Sequence, residues 1–354
     1  MLIPGAMEQV KNTSNREVAS TVASPRRREG LKGEVVLEIQ DLVVEFETRQ
    51  GPVRAINGVD LQLRRGQTLG LVGESGSGKS ITALSVLGLL PRNARIVRGT
   101  IRVHGTNVLT ASASALRALR GRIVSIVLQD PMTSLNPAFT IGWQVAEAVN
   151  HVSSGPRAAV RRRVIQLLAQ MGIPAPEDRI RAYPHQLSGG MRQRSVSAMA
   201  LAGPPEILLA DEPTTSLDAT IQAQYLRLLK TAQAELGVAI LFITHDFGIV
   251  AEVCDQVAVM YAGRIVETAD VTQLFDRPSH PYTRALLESV PRLGQSERLR
   301  SIAGQPPSAG LAIVGCPFAP RCPLADERCR VEAPPRVSVA AGHWADCWHV
   351  EGHP

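Results

Sequence analysis

Apolar residues change their spacing several times along this chain, and each change marks an element. From Val35 the run VVLEIQDLVVEFE alternates, and Val53–Leu63 alternates again beyond Gly51. That period of two is the mark of antiparallel strands joined by a turn. Thr68–Val72 is a short strand-like run, followed by a glycine-rich loop and helical spacing from about Lys79 to Leu90. Ile123–Leu128, Ile207–Asp211 and Ala239–Thr244 are further short apolar runs, the last two separated by helical spacing over Ile221–Leu236. Residues 140–187 carry helical periodicity (QVAEAVNHV, VRRRVIQLLAQM) and no strand signal, which predicts a helical subdomain over about 135–187. Strands alternating with helices imply an α/β fold: a mainly parallel core sheet, an antiparallel β subdomain and the helical subdomain.

Composition narrows the class. The 354 residues suffice for one large α/β domain and an appendage, and 44% hydrophobic content suits a globular core. Net charge is +6 and aromatics make up 4%, without the clustered basic stripe and interleaved aromatics of a nucleic-acid binder. No nucleic-acid partner is expected. Residues 1–34, ending their basic run at Arg26-Arg27-Arg28, read as a disordered leader whose arginines are solvated. Arg161–Arg163 read as an exposed helix face. The longest uncharged run, Ser301–Pro320, holds four prolines and three glycines and cannot be a continuous membrane helix. A soluble cytoplasmic protein is expected, with any membrane link made through partners.

The chemistry sits where strands end. Gly73-Glu-Ser-Gly-Ser-Gly-Lys-Ser80 fits G-x4-G-K-[ST] at a strand-to-helix junction. Gly73, Gly76 and Gly78 let the backbone around Ser75 and Ser77 turn its N–H groups toward phosphates. Lys79 reaches the phosphate oxygens and the Ser80 hydroxyl ligates Mg2+. Asp211 and Glu212 close the run ILLADE: the first suits the metal, the second an attacking water. Gln129 ends IVSIVL and could touch both metal and water, and His245 ends AILFIT, where it could hold the γ-phosphate. LSGGMRQR, from Leu187, is a serine–glycine turn opening a helix, a device that offers N–H groups to an anion.

In this order the motifs resemble those of the ATP-binding-cassette (ABC) ATPases from about Val35 to Glu267. The resemblance implies ATP and Mg2+ as cofactors, with Ser80, Gln129 and Asp211 around the metal and Glu212 as catalytic base beside Gln129 and His245. It implies that Phe46 stacks on adenine, that Ser188, Gly189 and Gly190 contact the γ-phosphate bound by the opposite subunit, and that Ser216-Leu217-Asp218 crosses the dimer interface. Met191 stands where glutamine is typical, a departure that removes no phosphate-facing group.

QDPMTSLNP (Gln129–Pro137), YPHQLSGGMRQR (Tyr183–Arg194), HPYTRALLESVP (His280–Pro291) and GCPFAPRCPLADERC (Gly315–Cys329) are similar to the oligopeptide/dipeptide importer ATPases. The methionine-bearing signature resembles the first of that family's two ATPase subunits. Expected partners are a homologous second ATPase, two membrane permease subunits and, indirectly, an extracytoplasmic solute-binding protein. The expected place is the cytoplasmic face of the inner or plasma membrane. Nickel, glutathione or another small solute is an alternative cargo within the family.

Four of the five cysteines, Cys316, Cys322, Cys329 and Cys347, fall within 32 positions with five, six and seventeen residues between them. Disulfides do not suit a reducing cytoplasm. The close C-x2-C pairs of zinc modules are missing, and wider spacing suits loops wrapped round a [4Fe–4S] cluster; zinc and unliganded thiols stay as alternatives, with His343 and His349 as substitute ligands. Cys254, in IVAEVCDQVAVM, reads as core. The expected division is a leader (1–34), an ABC ATPase domain (35–267), a linker or regulatory segment (268–310) and a Cys-rich C-terminal extension (311–354). Two other function classes compete. Soluble ABC ATPases of DNA repair or translation usually carry coiled-coil insertions or two cassettes, absent here. A metal-sensing interaction protein would rest its function on the cysteine tail.

Overall fold

The computed structural model describes residues 33–215, 217–290, 302–307 and 313–350. Nearly all of the expected leader, Ser216, and much of the segment between 291 and 312 lie outside the described residues.

The chain opens with β1 (Val35–Thr48) and β2 (Gly51–Arg64), paired antiparallel, then β3 (Thr68–Val72) and α1 (Lys79–Val86). Next come β4 (Ala94–Val103), β5 (Thr106–Asn107), α2 (Ala113–Leu119) and β6 (Val124–Val127). A helical stretch follows: α3 (Pro131–Ser134), α4 (Ile141–Val152), α5 (Arg157–Gln170), α6 (Pro176–Arg179) and α7 (Gly189–Ala200). The chain then returns to the sheet with β7 (Ile207–Asp211), α8 (Ala219–Leu236), β8 (Ala239–Thr244), α9 (Phe247–Val253), β9 (Gln256–Tyr261) and β10 (Arg264–Asp270). Helices α10 (Val271–Asp276), α11 (Pro281–Glu288) and α12 (Glu327–Val331) and strands β11 (Arg336–Ala340) and β12 (His343–Asp346) complete it.

Two sheets result. One is antiparallel, in the order β2-β1-β4-β5; the other runs β11-β12-β10-β9-β3-β8-β7-β6, parallel from β9 to β6. Alternate residues of the parallel strands feed two separate cores. Leu208, Ala210, Ile240 and Phe242 pack with the helical stretch, while Leu209, Leu241 and Ile243 pack with α1 and the antiparallel sheet. Burial on both faces explains why these strands read as continuous apolar runs with no alternation.

Helix boundaries follow local chemistry. Asp218 caps α8, accepting from the Ile221 N–H at 3.0 Å, and Gly237 ends it with φ +67. The helix expected to reach Leu90 stops at Val86, with Gly88 in the left-handed region at φ +60. Cys254 is buried, as its apolar setting predicts, and burial pushes its thiol up to about 12. No helix among the described residues is long and apolar enough to cross a membrane.

The C-terminal strands join the main sheet: β12 pairs antiparallel with β10 and β11 with β12. The join is fastened by Glu267, which is fully buried. Its carboxylate accepts from the Ser279 N–H (2.7 Å), the His280 N–H (2.9 Å) and His343 Nε2 (2.8 Å). Burial pushes this carboxyl up, but the His343 hydrogen bond and the other donors outweigh it, so it titrates below its ordinary value.

His280 beside it is also buried, and burial pushes its imidazole down to about 4, with the Glu267 charge opposing. The unfolded chain takes up this proton near 6.5 and the folded one only near 4. Stability is therefore fully present above that window and falls as pH drops through it, by about 3 kcal/mol in all. Denaturant melts across pH will show this loss, steepened below it as Glu267 is protonated, and His280→Gln will flatten the upper part.

Candidate functional site

Strand β3 delivers the chain into a loop that three glycines shape. A Cβ on Gly73 would stand 2.1 Å from the Met260 carbonyl oxygen, and one on Gly78 2.8 Å from the Ala55 carbonyl oxygen. The loop is thus pressed against β9 and β2. Gly76 differs: at φ +80 it faces open space. Ser75 is exposed and Ser77 buried, its hydroxyl without a hydrogen-bond partner among the described residues.

Lys79 folds back into the loop, its Nζ donating to the carbonyls of Gly73 (2.8 Å) and Glu74 (3.0 Å). Burial lowers its pKa, and the nearby carboxylates of Glu212, Asp211 and Glu74 oppose that shift. Ser80 Oγ donates to Asp211 Oδ1 at 3.1 Å, so hydroxyl and carboxylate already face one another where a divalent cation would need both. Asp211 is buried at the end of β7; burial foremost, with Glu212 adding, raises its pKa against Ser80 and Lys79.

Glu212 gathers the other predicted residues. Its Oε2 accepts from Gln129 Nε2 at 2.9 Å and Thr215 Oγ1 at 3.1 Å, and its Oε1 lies 3.2 Å from His245 Nδ1. Gln129, Glu212 and His245 follow the neighbouring strands β6, β7 and β8, so three residues spread over more than a hundred positions meet at one carboxylate. Glu212 holds φ +44, a left-handed conformation unusual for this residue type that turns its side chain into the cluster. Thr215 was missed in the sequence, although a hydroxyl three residues past a strand-ending acid is a recognisable local signal.

Ser188 caps α7, accepting from the Met191 N–H at 3.3 Å, with Gly189 and Gly190 in the first turn. Helix α7 packs mainly on α3, α4, α5 and β6, whereas α1 packs mainly on β2 and β7. Among the described residues no hydrogen bond joins this turn to the phosphate loop of its own chain. A Cβ on Gly190 would stand 3.1 Å from Ile221 Cγ2, which places the turn against α8 and its cap Asp218. Phe46 lies partly buried on β1, opposite Val53 and Ala94, outside the carboxylate cluster.

In the tail, Cys316, Cys322, Cys329 and Cys347 line one small cavity with His280 and Phe318. All four are unbridged, and burial raises each thiol, Cys347 to about 11 with the other three adding to the shift. The His349 N–H donates to Cys347 Sγ at 3.3 Å, and His349 Nε2 lies 3.5 Å from Cys329 Sγ. A second, mixed set overlaps it: Asp326, Cys329 and His349 place donor atoms within 4.8 Å of one another. His343 is instead committed to Glu267.

Comparison with known proteins shows the family and the fold. A family model described as "ABC transporter" matches residues 56–215, and one described as "Oligopeptide/dipeptide transporter, C-terminal region" matches 266–329. The chain is 49% identical to a probable peptide ABC transporter ATP-binding protein of Sinorhizobium fredii, covering 91% of this chain and 97% of that one. It is 46% identical to a dipeptide transport ATP-binding protein of Bacillus subtilis, over 89% of this chain and 95% of that one. An oligopeptide transport ATP-binding protein of Mycobacterium tuberculosis is 49% identical over 89% of this chain, which spans 52% of that longer protein. Among solved structures, cbiO1 of Clostridium perfringens, part of an ABC transporter complex, is 29% identical with a TM-score of 0.59, over 69% of this chain and 92% of that one. A dimeric ATP-binding cassette bound to ADP and phosphate, 23% identical with a TM-score of 0.61, covers 66% of this chain and 98% of its own and shares the fold.

The loop's packing separates its glycines experimentally. Gly76→Ala meets only the left-handed backbone cost of about 1 kcal/mol. Gly73→Ala drives a methyl into a backbone carbonyl and will cost several times that, on the order of 3 kcal/mol or more. Denaturant melts of the two variants will show this order, and equal costs would contradict the packing described.

Proposed function

Because this chain belongs to the ABC transporter family of ATP-binding proteins, we propose that it is the ATP-hydrolysing, energy-coupling subunit of an importer for oligopeptides or dipeptides. The observation that carries the reading is the Glu212 cluster. One carboxylate, in contact with Gln129, Thr215 and His245, stands next to Asp211, which itself holds Ser80 of the phosphate loop. The loop N–H groups and Lys79 bind the phosphates, and Ser80, Asp211 and Gln129 would hold a Mg2+, which would supply positive charge against the phosphate oxygens. Glu212 accepts a proton from the attacking water, and His245 steadies the γ-phosphate end. Phe46 stacks on the adenine. The peptide cargo rests on the relatives' described roles and on the C-terminal region match, since nothing in the ATP site reads a solute.

The SGG turn needs a partner. Ser188 and Gly189 are exposed and Gly190 partly so, at a helix N-terminus that makes no hydrogen bond to the phosphate loop of its own chain. That arrangement supports a closed dimer in which Ser188–Gly190 complete the nucleotide site of the opposite cassette, with Asp218 near the interface. The methionine-bearing signature favours a homologous second ATPase as that partner. Two permeases would dock beside Gln129, where Met132, Phe139, Trp143 and Tyr183 are exposed and Phe139 stacks on Trp143 at 4.1 Å. Such a complex places the chain peripherally on the cytoplasmic face of the membrane, with residues 35–267 as the cassette and 311–354 as an accessory module.

For that module we propose a [4Fe–4S] cluster, with zinc as the alternative. What supports it is that four cysteines line one cavity and that the His349 N–H donates to one of their sulfurs. The cluster would fix the fold of the tail, and no step of ATP hydrolysis passes through it.

Two measurements test these readings. Glu212→Gln will still bind ATP while its turnover falls roughly a hundredfold or more and dimers accumulate on size exclusion; undiminished hydrolysis would remove Glu212 from the role of base. Protein purified anaerobically will be brown, with iron and sulfide in near-equal amounts, whereas colourless zinc-loaded protein would establish the alternative.

A further inference from the structure

The cysteine-bearing tail touches the phosphate loop directly, through a residue that the loop motif leaves unspecified. Glu74 is held from two sides. Its backbone N–H donates to the Tyr282 hydroxyl at 2.9 Å, and its carboxylate takes a two-pronged ion pair from Arg321, with Nη1–Oε2 at 2.8 Å and Nη2–Oε1 at 3.0 Å. Tyr282 is two residues from His280, which lines the four-cysteine cavity, and Arg321 immediately precedes Cys322.

The Arg321 side chain is 5% exposed, enclosed between elements that fix it. Its Nε donates to the Ala303 carbonyl at 3.0 Å and its Nη1 to the Tyr261 hydroxyl at 3.3 Å. The guanidinium lies 5.8 Å from the Tyr261 ring centre and 5.9 Å from that of Phe318. Tyr261, Tyr282 and Phe318 in turn pack on one another, with centroids 4.5 to 5.3 Å apart. A planar fork this well held presents both prongs with little entropy left to lose.

Glu74 matters because of its neighbour. Its carbonyl is one of the two that hold the Lys79 ammonium, and its carboxylate is close enough to oppose the effect of burial on that lysine. Paired with Arg321, the carboxylate is neutralised and turned toward the tail. Unpaired, it is free to compete with incoming phosphates for Lys79 and adds a negative charge where ATP brings several.

We propose that Arg321 is a positioning residue for the phosphate loop: by clamping Glu74 it keeps Lys79 available to ATP, and so makes nucleotide affinity depend on an intact cysteine-bearing tail. The inference rests on the reading of Gly73–Ser80 as the ATP site. Because coupling between two sites is reciprocal, bound nucleotide stabilises the tail to the same extent that the tail favours nucleotide.

The test is a double-mutant cycle on the full chain with its tail as purified, reading the ATP dissociation constant by calorimetry and KM and kcat by steady-state hydrolysis. Arg321→Met will weaken ATP binding about tenfold and raise KM with kcat at saturation changed far less. In the Glu74→Gln background the same substitution will change affinity less than twofold, since no carboxylate remains to be released. Arg321→Lys, which keeps the charge and loses the fork, will recover part of the affinity. A purely structural arginine would behave otherwise, lowering the melting temperature equally in both backgrounds and leaving the dissociation constant of folded protein unchanged; that result overturns the proposal. Should Arg321→Met fail to fold, Tyr282→Phe deletes only the hydroxyl that accepts the Glu74 N–H. It will weaken ATP about threefold, and unchanged affinity there also counts against the clamp. Wild-type protein that binds no ATP would instead overturn the nucleotide-site reading beneath both.

Discussion

Strands β3, β8, β7 and β6 lie side by side and run in one direction, so their C-terminal ends share one edge of the sheet. Almost everything chemical about the protein depends on that constraint. The phosphate loop leaves β3, His245 follows β8, Asp211 ends β7 with Glu212 next, and Gln129 lies just beyond β6. Apart from the adjacent Asp211 and Glu212, none of these groups could find the others by sequence proximity. The parallel register brings them together, and the two hydrophobic cores on either face of the sheet hold that register in place.

Carboxylates do the remaining joining, and each works differently according to what it accepts. Glu212 takes side-chain donors at a partly open edge, suited to exchanging one of them for a water molecule. Glu267 takes two backbone N–H groups and an imidazole in full burial, where an unpaired charge would be very costly, and therefore acts as a permanent tie between β10, α11 and β12. Glu74 is intermediate, a quarter exposed and shared between the nucleotide loop and the tail.

The sequence carried the parts of this arrangement that follow local rules. Short apolar runs between 68 and 244 located β3, β6, β7 and β8, because double burial leaves few polar positions to confuse them, whereas the parallel strand β9 went unread in the apolar stretch after Cys254. The glycine-lysine loop, the two strand-ending acids, Gln129 and His245 were legible from type and placement, and in the fold Gln129 and His245 meet at Glu212. Strand β4 was not legible: ARIVRGTIRV puts arginines at exposed positions and a glycine in the middle, and only its pairing with β1 makes it a strand. The Glu74 clamp was equally hidden. The loop motif accepts any residue at that position, and the partner Arg321 sits inside a cysteine pattern that draws attention to sulfur. Pairings across 247 positions are set by the tertiary fold and leave no periodicity to read.

That separation has a consequence for how the protein comes into being. A chain emerging from the ribosome completes β3, the loop and α1 early, and the sheet that orders them when β9 is made. Tyr282 is made after β9, and Arg321 and Cys322 later still. Until Arg321 is made Glu74 has no guanidinium to hold it, so a nascent cassette carries the parallel strands and an unclamped loop. The order of translation thus adds the tail's hold on Glu74 after the parallel strands that carry the phosphate loop.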